Sequence, residues 1–314
     1  MFRRVRAMRF VLLVCLTTLL SFGHAFAGPR VVVVTSERSG AHEETLSALR
    51  NALAADLPVG DIGIFETPQL DNDILGSARI IVTIGTQAAK AVGARGVRQP
   101  VLNTLLPRDA YESLQTSLPG QRSTAIFLDQ PVQRQVALLG AALPDRATLA
   151  LLVGPGSEGL SRRVASAARE QRLQVSIERV ATDDEIYPAL ERLLVEPTVL
   201  LALPDATVFN SYTIQNVLLT SYRRRTPLIG FSPAYVRAGA LLALYSTPAQ
   251  IARQAADAVR DVLAGSGLPP PQGPREFEVA TSPNVARSLG IELESGERIA
   301  ARMRLRENQR EAKP

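Results

Sequence analysis

Polar residues that directly follow buried strands are the parts of this sequence best placed to bind a ligand. Parallel strands end where helices begin, so hydroxyl, amide and carboxylate groups there lie beside free backbone N–H groups. Such sites hold small molecules by hydrogen bonds without covalent chemistry. The candidate ligand-binding residues at the predicted strand ends are Ser36, Gly85, Thr86, Gln87, Thr104, Ser157, Asp205, Thr207, Ser232 and Tyr235.

Groups suited to catalysis or metal binding are scarce. The chain contains one cysteine, Cys15, and two histidines, His24 and His42. Metal sites built from thiolates or several histidines, and most catalytic mechanisms that use cysteine or histidine, need more of these residues than the chain has. The glycine loop Gly154–Gly159 lacks both the Lys-Ser/Thr ending and the three-glycine spacing of nucleotide-binding loops. We therefore expect no catalytic residue, no metal and no cofactor.

Several candidates have a structural alternative that the sequence leaves open. Asp205 could be the N-cap of the next helix, contact a ligand, or do both. Tyr235 follows a strand in what the sequence indicates is a polar loop, where an amphipathic ring could cover a ligand. Glu37, Glu43 and Glu44 around His42 are interpreted as acids stabilised by a helix N-terminus beside a solvated histidine.

The N-terminus has the pattern of a secretory signal peptide. Arginines precede an apolar run over residues 10–22, and Ala25-Phe26-Ala27 forms a small-x-small cleavage site. The run is shorter than the roughly 20 residues that a membrane-spanning helix needs. Lipid attachment at Cys15 is disfavoured because Val14 stands where a small residue is required. We predict removal of residues 1–27 and a periplasmic protein.

Net charge argues against a nucleic-acid partner. The formal charge of the whole chain is +5, and loss of the four arginines within residues 1–27 lowers it to +1. Nucleic-acid binding needs positive charge clustered on one face. The local excess at Arg223-Arg224-Arg225 is interpreted as favourable charge at a helix C-terminus.

Apolar runs bounded by turn residues alternate with helical patterns, which predicts parallel sheets with crossover helices. Two sets of about five units favour two similar three-layer α/β/α lobes over one eight-fold barrel. The charged residues 306–314 are expected to fray. Predicted strands cover residues 30–35, 62–65, 80–84, 101–104, 124–128, 149–153, 174–180, 199–203, 228–231, 241–245 and 276–280. Predicted helices cover residues 42–57, 87–94, 110–116, 132–142, 157–171, 183–195, 211–225, 248–263 and 283–289.

Several short motifs resemble the ABC-transporter substrate-binding family whose best-known members take up aromatic amino acids. The similarity is spread over most of the chain after the signal peptide. The motifs are Gly85–Ala88 (GTQA), Leu203–Phe209 (LPDATVF), Thr226–Gly230 (TPLIG), Val236–Leu241 (VRAGAL), the 248–263 helix with its Ala264-Gly265 ending, and Asn284–Ile291 (NVARSLGI).

This resemblance implies the type I periplasmic binding protein fold, in which the chain crosses three times between lobes around a hinge. It implies a first lobe of residues 28–128 plus 248–268, and a second of 129–247 plus 269–314. The proline-rich stretch 268–274 would be the third hinge strand. Ligand contacts carry over to Thr86, Gln87, Ser157, Asp205 and Tyr235. The chain departs from the family pattern at 124–126, where Thr-Ala-Ile replaces the usual threonine-glycine pair after the fifth strand. It also departs at 104–107, where Thr-Leu-Leu-Pro lacks the expected polar residues.

The function implied is a solute-binding protein that closes over a small molecule and delivers it to an ABC permease in the inner membrane. For an amino-acid ligand, Thr86 and Gln87 would hold the carboxylate and Asp205 the ammonium. The alternative is a periplasmic regulator or sensor of the same fold that docks on an envelope protein. We expect a monomer, and an enzyme ranks third because acid, base and nucleophile do not converge.

Overall fold

Two open sheets form the core of the molecule. The computed structural model describes residues 29–36, 40–146, 148–195 and 197–311, with side chains of the last helix up to residue 309. The predicted signal peptide, residues 1–27, lies outside the described residues. A five-stranded sheet has the order β2-β1-β3-β4-β5, and a six-stranded sheet has the order β11-β10-β9-β8-β6-β7. Two separate sheets rule out the eight-fold barrel.

The first sheet is parallel throughout, and its central strands are apolar on both faces. All five residues of β1 are buried, as expected for a strand covered by helices on both sides. Val31 and Val33 face one layer of helices, whereas Val32 and Val34 face the other. The strands are β1 (Val31–Thr35), β2 (Ile62–Glu66), β3 (Ile80–Ile84), β4 (Val101–Leu106) and β5 (Ser123–Phe127).

The second sheet is parallel except for its last strand, which pairs antiparallel with its neighbour through Leu242 opposite Thr281. Leu149 and Leu151 pack into one apolar layer, and Ala150 and Leu152 pack into the other. The strands are β6 (Thr148–Val153), β7 (Gln174–Arg179), β8 (Thr198–Leu201), β9 (Leu228–Gly230), β10 (Leu242–Tyr245) and β11 (Glu278–Thr281).

Helices cover both faces of each sheet. Those of the first sheet are α1 (Gly40–Leu53), α2 (Asn72–Ser77), α3 (Thr86–Gly93), α4 (Arg108–Ser117) and α10 (Pro248–Leu263). Those of the second are α5 (Val132–Ala142), α6 (Glu158–Glu170), α7 (Ile186–Leu193), α8 (Ile214–Arg223), α9 (Pro233–Ala238), α11 (Pro283–Leu289) and α12 (Gly296–Glu311). The fold class predicted from the sequence is therefore confirmed: two α/β bodies with parallel-dominated sheets.

The chain passes between the sheets three times. It leaves the first sheet after β5, returns after β10 to form α10, and passes again through residues 264–277 to β11. The third crossing pairs with β5, because Phe127 N–H donates to Gln272 O at 2.9 Å and Gln272 N–H donates to Ala125 O at 2.9 Å. The lobe limits drawn from the sequence stay a prediction.

Three helices were not predicted. Helices α2 and α9 have six residues each, too few for an apolar period to be read. Helix α12 is charged, and only a narrow face with Ile299, Ala300 and Met303 is buried. Residues 306–311 belong to α12, so the prediction of fraying there is wrong. Glu307 is held by Arg134, while residues 312–314 lie outside the described residues.

Candidate functional site

A cavity of about 520 Å³ lies between the two sheets, next to the crossings. It is located at the carboxyl ends of β8, β9 and β10, and the first helix of the opposite sheet approaches from the other side. Its lining residues are Ala41, Glu44, Leu105, Leu128, Asp129, Gln130, Gln135, Leu138, Leu201, Ala202, Pro204, Ile229, Gly230, Phe231, Ser232, Pro233, Leu244, Tyr245, Ser246, Thr247 and Pro248.

The walls of this cavity are predominantly apolar. Leu105 comes from the first sheet, Leu128 from the first crossing, and Ile229 and Leu244 from the second sheet. Leu128 is 46% exposed although it is a leucine, which means that its side chain is open to the cavity. A ligand that covers these groups would remove apolar surface from water, the main source of affinity in such sites.

Polar groups at the crossings bond to one another. Gln130 Nε2 donates to Ser246 Oγ at 2.8 Å, and Ser246 Oγ donates to Glu276 O at 2.6 Å. Arg134 Nη1 donates to Gln130 Oε1 at 3.0 Å and to Pro274 O at 2.8 Å. These bonds connect all three crossings. We call them the crossing network: the side chains of Gln130, Arg134 and Ser246 with the carbonyls of Pro274 and Glu276.

Arg134 is the centre of the crossing network. Its side chain is 7% exposed, and its Nε lies 2.8 Å from Glu307 Oε1. A second bond joins Nη2 to Glu307 Oε2 at 3.1 Å, and the guanidinium lies 4.3 Å from the centre of the Phe277 ring. The ion pair with Glu307, the hydrogen bonds to carbonyl oxygens and the stacking on Phe277 together stabilise the buried positive charge of Arg134.

Two acidic side chains line the cavity. Glu44 is exposed on α1. Asp129 is half-buried, and one carboxylate oxygen accepts the backbone N–H of Arg108 at 2.5 Å. Burial raises the pKa of the Asp129 carboxyl above its ordinary value, the Arg108 N–H opposes this, and the charge of Asp109 adds to the rise. Either acid is placed to face a cationic group of a ligand.

On the other side of the cleft a charged pair joins the two bodies. Arg163 on α6 lies 2.6 Å from Asp109 on α4 and 4.0 Å from Glu112. A Cβ atom on Gly159 would lie 2.8 Å from Asp109 Oδ2, so the helices approach closely here because residue 159 has no side chain. Both partners of the pair are about one-third exposed. It is therefore an interaction that opening of the cleft would break at small cost.

The candidates from the first sheet do not line the interlobe cavity. Gly85 caps α3 with φ of 90°, and a Cβ there would lie 2.4 Å from His42 Nε2. His42 is thus half-buried against Gly85, not solvated as expected. Thr104 is fully buried, and its Oγ1 donates to Thr83 O at 2.8 Å. The remaining candidates lie elsewhere: Thr86 is half-buried in the first turn of α3, while Ser36 and Gln87 line a separate cavity of about 580 Å³ with Thr67, Lys90 and Ala91.

Ser157 and Asp205 lie together at the ends of β6 and β8. Ser157 Oγ bonds to the backbone of Gly154, donating to its carbonyl at 3.3 Å. Asp205 Oδ1 accepts the backbone N–H groups of Thr207 at 2.8 Å and Val208 at 3.2 Å. Asp205 Oδ2 is buried without a hydrogen-bond partner among the described residues. Asp205 thus caps a turn and not the next helix, α8, whose N-cap is Thr213, so the N-cap prediction is wrong. A role of Asp205 in ligand contact stays a prediction.

Ser232 and Tyr235 occupy the start of α9, where the sequence indicated a loop. Ser232 lines the interlobe cavity. The Tyr235 ring instead packs against Phe231, with ring centres 4.6 Å apart, and against Phe209 at 6.4 Å. Burial raises the pKa of the Tyr235 hydroxyl above its ordinary range. The expectation of a loop is wrong, and Ser232 is the one predicted site residue among those lining the cavity.

Sequence reasoning missed the apolar walls and the crossing network. We expected ligand contacts only from polar residues at the carboxyl ends of the parallel strands. Leu105, Ile229 and Leu244 lie at or near those ends and are apolar. One signal was visible: the stretch after Thr104 continues as Leu-Leu-Pro, without polar groups. Gln130, Arg134 and Ser246 meet only through long-range contacts, which no local pattern reveals.

Neither a membrane span nor a metal cluster is found in the described part of the chain. None of its helices combines the length and the apolar character needed to cross a bilayer. No group of three or more His, Cys, Asp or Glu side chains is arranged to hold a metal ion in that part.

Comparison with known proteins gives one family match and many structural matches. The sequence profile of the family described as ABC transporter substrate binding protein matches residues 69–295. No curated protein matches the chain.

Three solved structures are similar in fold, all below 25% identity. A conserved domain protein from Vibrio cholerae has 22% identity and a TM-score of 0.61, covering 87% of this chain and 98% of that one. A domain from Streptococcus pneumonia in complex with L-Trp has 17% identity and a TM-score of 0.61, covering 85% and 96%. An open, ligand-free substrate-binding protein with adhesive properties from Clostridium difficile has 17% identity and a TM-score of 0.66, covering 85% and 96%.

Proposed function

Because the chain belongs to the ABC transporter substrate-binding protein family, we propose that it is a periplasmic receptor that delivers a small solute to an ABC permease. Its fold is that of the type I periplasmic binding proteins. The observation that carries the proposal is the cavity of about 520 Å³ lined by both bodies and two crossings. Small-molecule sites typically have about 300–1,000 Å³.

The solute that fits this cavity has an apolar body. Leu105, Leu128 and Ile229 offer surface that only an aliphatic or aromatic group would cover well. Glu44 and Asp129 offer negative charge at the same site. An amino acid with an apolar side chain, or a related amine, combines these features, because its ammonium would face an acid while its side chain covers the leucines.

Closure of the cleft is the expected mechanism. Three chain crossings connect the two bodies, so the bodies can swing as units. A ligand in the cavity would contact both bodies, and the Arg163–Asp109 pair, which already joins them, would be retained when the ligand is bound. A ligand that binds only the folded protein stabilises it, by about 2.7 kcal/mol when its free concentration is a hundred times Kd.

We assign binding rather than catalysis to this cavity, and we assign the protein to the periplasm. Its lining residues, all within the described part of the chain, include no histidine or cysteine. The predicted signal peptide supports export, and N-terminal sequencing of protein from a periplasmic extract should begin at Gly28. Protein that retains residues 1–27 in the cytoplasm would contradict the localisation.

A ligand screen with two leucine variants tests the binding proposal. We expect apolar amino acids or related amines to raise the thermal unfolding temperature in a panel that also holds peptides, purines and sulfonates. Leu128→Arg puts a charge into the apolar cavity and should abolish the shift. Leu305→Arg is the matched control, since Leu305 is 63% exposed on α12 and lies outside the cavity.

Two results would overturn the proposal. The first is that no compound in the panel shifts the unfolding temperature of the unmodified protein. The second is that the ligand found binds the Leu128→Arg variant as tightly as the unmodified protein, which would locate the ligand elsewhere.

A further inference from the structure

Another cavity lies on the first body, at the edge of its sheet opposite the interlobe cleft. Its volume is about 490 Å³, and it is formed where α3 and α4 end and the loops lead into β4 and β5. The interlobe cavity contacts the other ends of these two strands, through Leu105 and Leu128. We call the new site the arginine cavity, and it is defined by Gly96, Arg98, Gly120, Gln121 and Arg122.

Positive charge in the arginine cavity is not balanced by an acid. Arg98 and Arg122 line it, and none of its lining residues is an aspartate or a glutamate. Both arginines are exposed, and neither forms an ion pair with another residue in the described part of the chain. The interlobe cavity has the reverse charge, because Glu44 and Asp129 line it without an arginine or a lysine. The two cavities therefore favour ligands of opposite charge.

The pairing of β4 with β5 brings the two arginines to the same edge of the sheet. Val101 lies opposite Ser123 in the parallel register, and Val101 N–H donates to Arg122 O at 2.9 Å. Arg98 lies three residues before Val101, in the loop from α3. Two positive charges at one cavity repel each other, and an anion bound there would offset that repulsion.

Gln121 adds a hydrogen-bond donor to the same cavity. Its Nε2 is buried and has no hydrogen-bond partner among the described residues. Buried donors without an acceptor are uncommon because they cost free energy. The torsion next to the side-chain amide is soft, so its rotation can turn Nε2 toward an acceptor in the cavity. An oxyanion would supply that acceptor together with partners for the two guanidinium groups.

We propose that the arginine cavity binds a phosphomonoester or inorganic phosphate. A carboxylate would balance only one of the two positive charges, whereas a phosphomonoester carries a charge of about −1.5 to −2 near neutral pH. Guanidinium groups also match the oxygens of a phosphate in geometry. The volume of about 490 Å³ leaves room for an organic group on the phosphate. This site is additional to the solute site and does not depend on the identity of the solute.

Calorimetric titration of the purified protein with inorganic phosphate near neutral pH tests the site. We expect saturable binding that potassium chloride at the same ionic strength does not reproduce. Arg98→Gln and Arg122→Gln should each raise Kd about tenfold, because each removes a charge-assisted hydrogen bond. Arg298→Gln is the matched control, since this exposed arginine on α12 lies outside the arginine cavity and should leave Kd unchanged.

Two further probes distinguish a soluble phosphomonoester from a lipid headgroup. A soluble ligand predicts that glycerol 3-phosphate binds more tightly than inorganic phosphate and that the protein does not sediment with vesicles containing phosphatidic acid. A lipid ligand predicts sedimentation with those vesicles, and loss of sedimentation in the Arg98, Arg122 double variant.

The arginine variants should fold normally, because both side chains are exposed. Their thermal unfolding temperatures should match that of the unmodified protein, and so should their affinity for the solute of the interlobe cavity. Equal heats from phosphate and from chloride, with no sedimentation of the protein with the vesicles, would overturn the proposal. Phosphate binding that the Arg98, Arg122 double variant retains at full strength would overturn it as well.

Discussion

The two sides of the cleft differ in what their polar groups do. Beside the crossings, Gln130, Arg134 and Ser246 bond to one another and to backbone carbonyls. Their polarity is used within the protein, and the walls of the cavity are predominantly apolar. On the other side, Arg163 and Asp109 face each other across the gap, and one carboxylate oxygen of Asp205 has no hydrogen-bond partner among the described residues. The crossings are thus bonded to one another on one side of the cleft, whereas the contact on the other side can break when the cleft opens.

Replacement of Arg134 should give the largest effect on stability. Arg134→Met keeps much of the aliphatic volume but removes the pair with Glu307 and the bonds to Gln130 and Pro274. Loss of one partner of a buried pair costs about 3 kcal/mol. Urea unfolding should show this loss. Arg253→Met is the matched control, because its pair with Glu276 is half-exposed and should cost about 0.5 kcal/mol.

Equal losses of unfolding free energy in Arg134→Met and Arg253→Met would contradict this prediction. That result would mean that the crossing network is no more stabilising than an ordinary surface ion pair.

Replacement of Asp205 should have an intermediate effect. Asp205→Ala removes the acceptor of the Thr207 and Val208 N–H groups, which costs about 1 kcal/mol. Asp205→Asn keeps an acceptor oxygen and should be close to neutral. Urea unfolding gives both values, and calorimetric titration with the solute adds a second readout. A large loss of affinity in Asp205→Asn would assign the unpartnered oxygen to the ligand, whereas unchanged affinity would restrict Asp205 to its capping role.

Loss of the Arg163–Asp109 pair should change the radius of gyration more than the free energy of unfolding. Arg163→Met removes an interaction between partners that are about one-third exposed, worth at most about 1 kcal/mol. We expect a larger radius of gyration by X-ray scattering without ligand, and the compact value when ligand is added. Arg162→Met is the matched control, since Arg162 pairs with Glu158 on its own helix. An unchanged radius for Arg163→Met would show that this pair does not limit opening.

The smallest expected effect is a pH dependence at Asp129. Burial raises the pKa of its carboxyl above the ordinary 3.8, so the folded state binds the proton more tightly than the unfolded state. Unfolding free energy should therefore decrease as pH rises from about 3.8 through the folded-state pKa. Asp129→Asn should remove this contribution. A variant with the same pH profile as the unmodified protein would contradict the assignment.

The sequence was sufficient to predict the layout of the fold. Strands such as Ile80–Ile84 and helices such as Pro248–Leu263 were predicted to the residue, because their apolar periods and turn residues are local signals. Helix α12 was missed because its buried face is narrow and because α5, which packs on it together with β11, lies far away in the chain. Local patterns carry little information about such contacts.

The site was only partly predictable for the same reason. Ser232 was selected because it follows β9, and it lines the cavity, while its contact with a ligand stays a prediction. Thr104 was selected by the same rule, yet it is buried between strands with its hydroxyl bonded to Thr83 O. The arrangement of the two bodies decides which strand ends face the cleft. Long-range bonds of Gln130, Arg134 and Ser246 at the crossings help to fix that arrangement.

A crystal structure of the protein with the solute found in the screen would locate the binding site. We expect ligand density between the bodies, in contact with Leu105, Leu128 and Ile229, and a cationic group of the ligand near Glu44 or Asp129. Ligand density in the Ser36–Lys90 cavity, with none in the interlobe cavity, would show that the interlobe cavity is not the solute site.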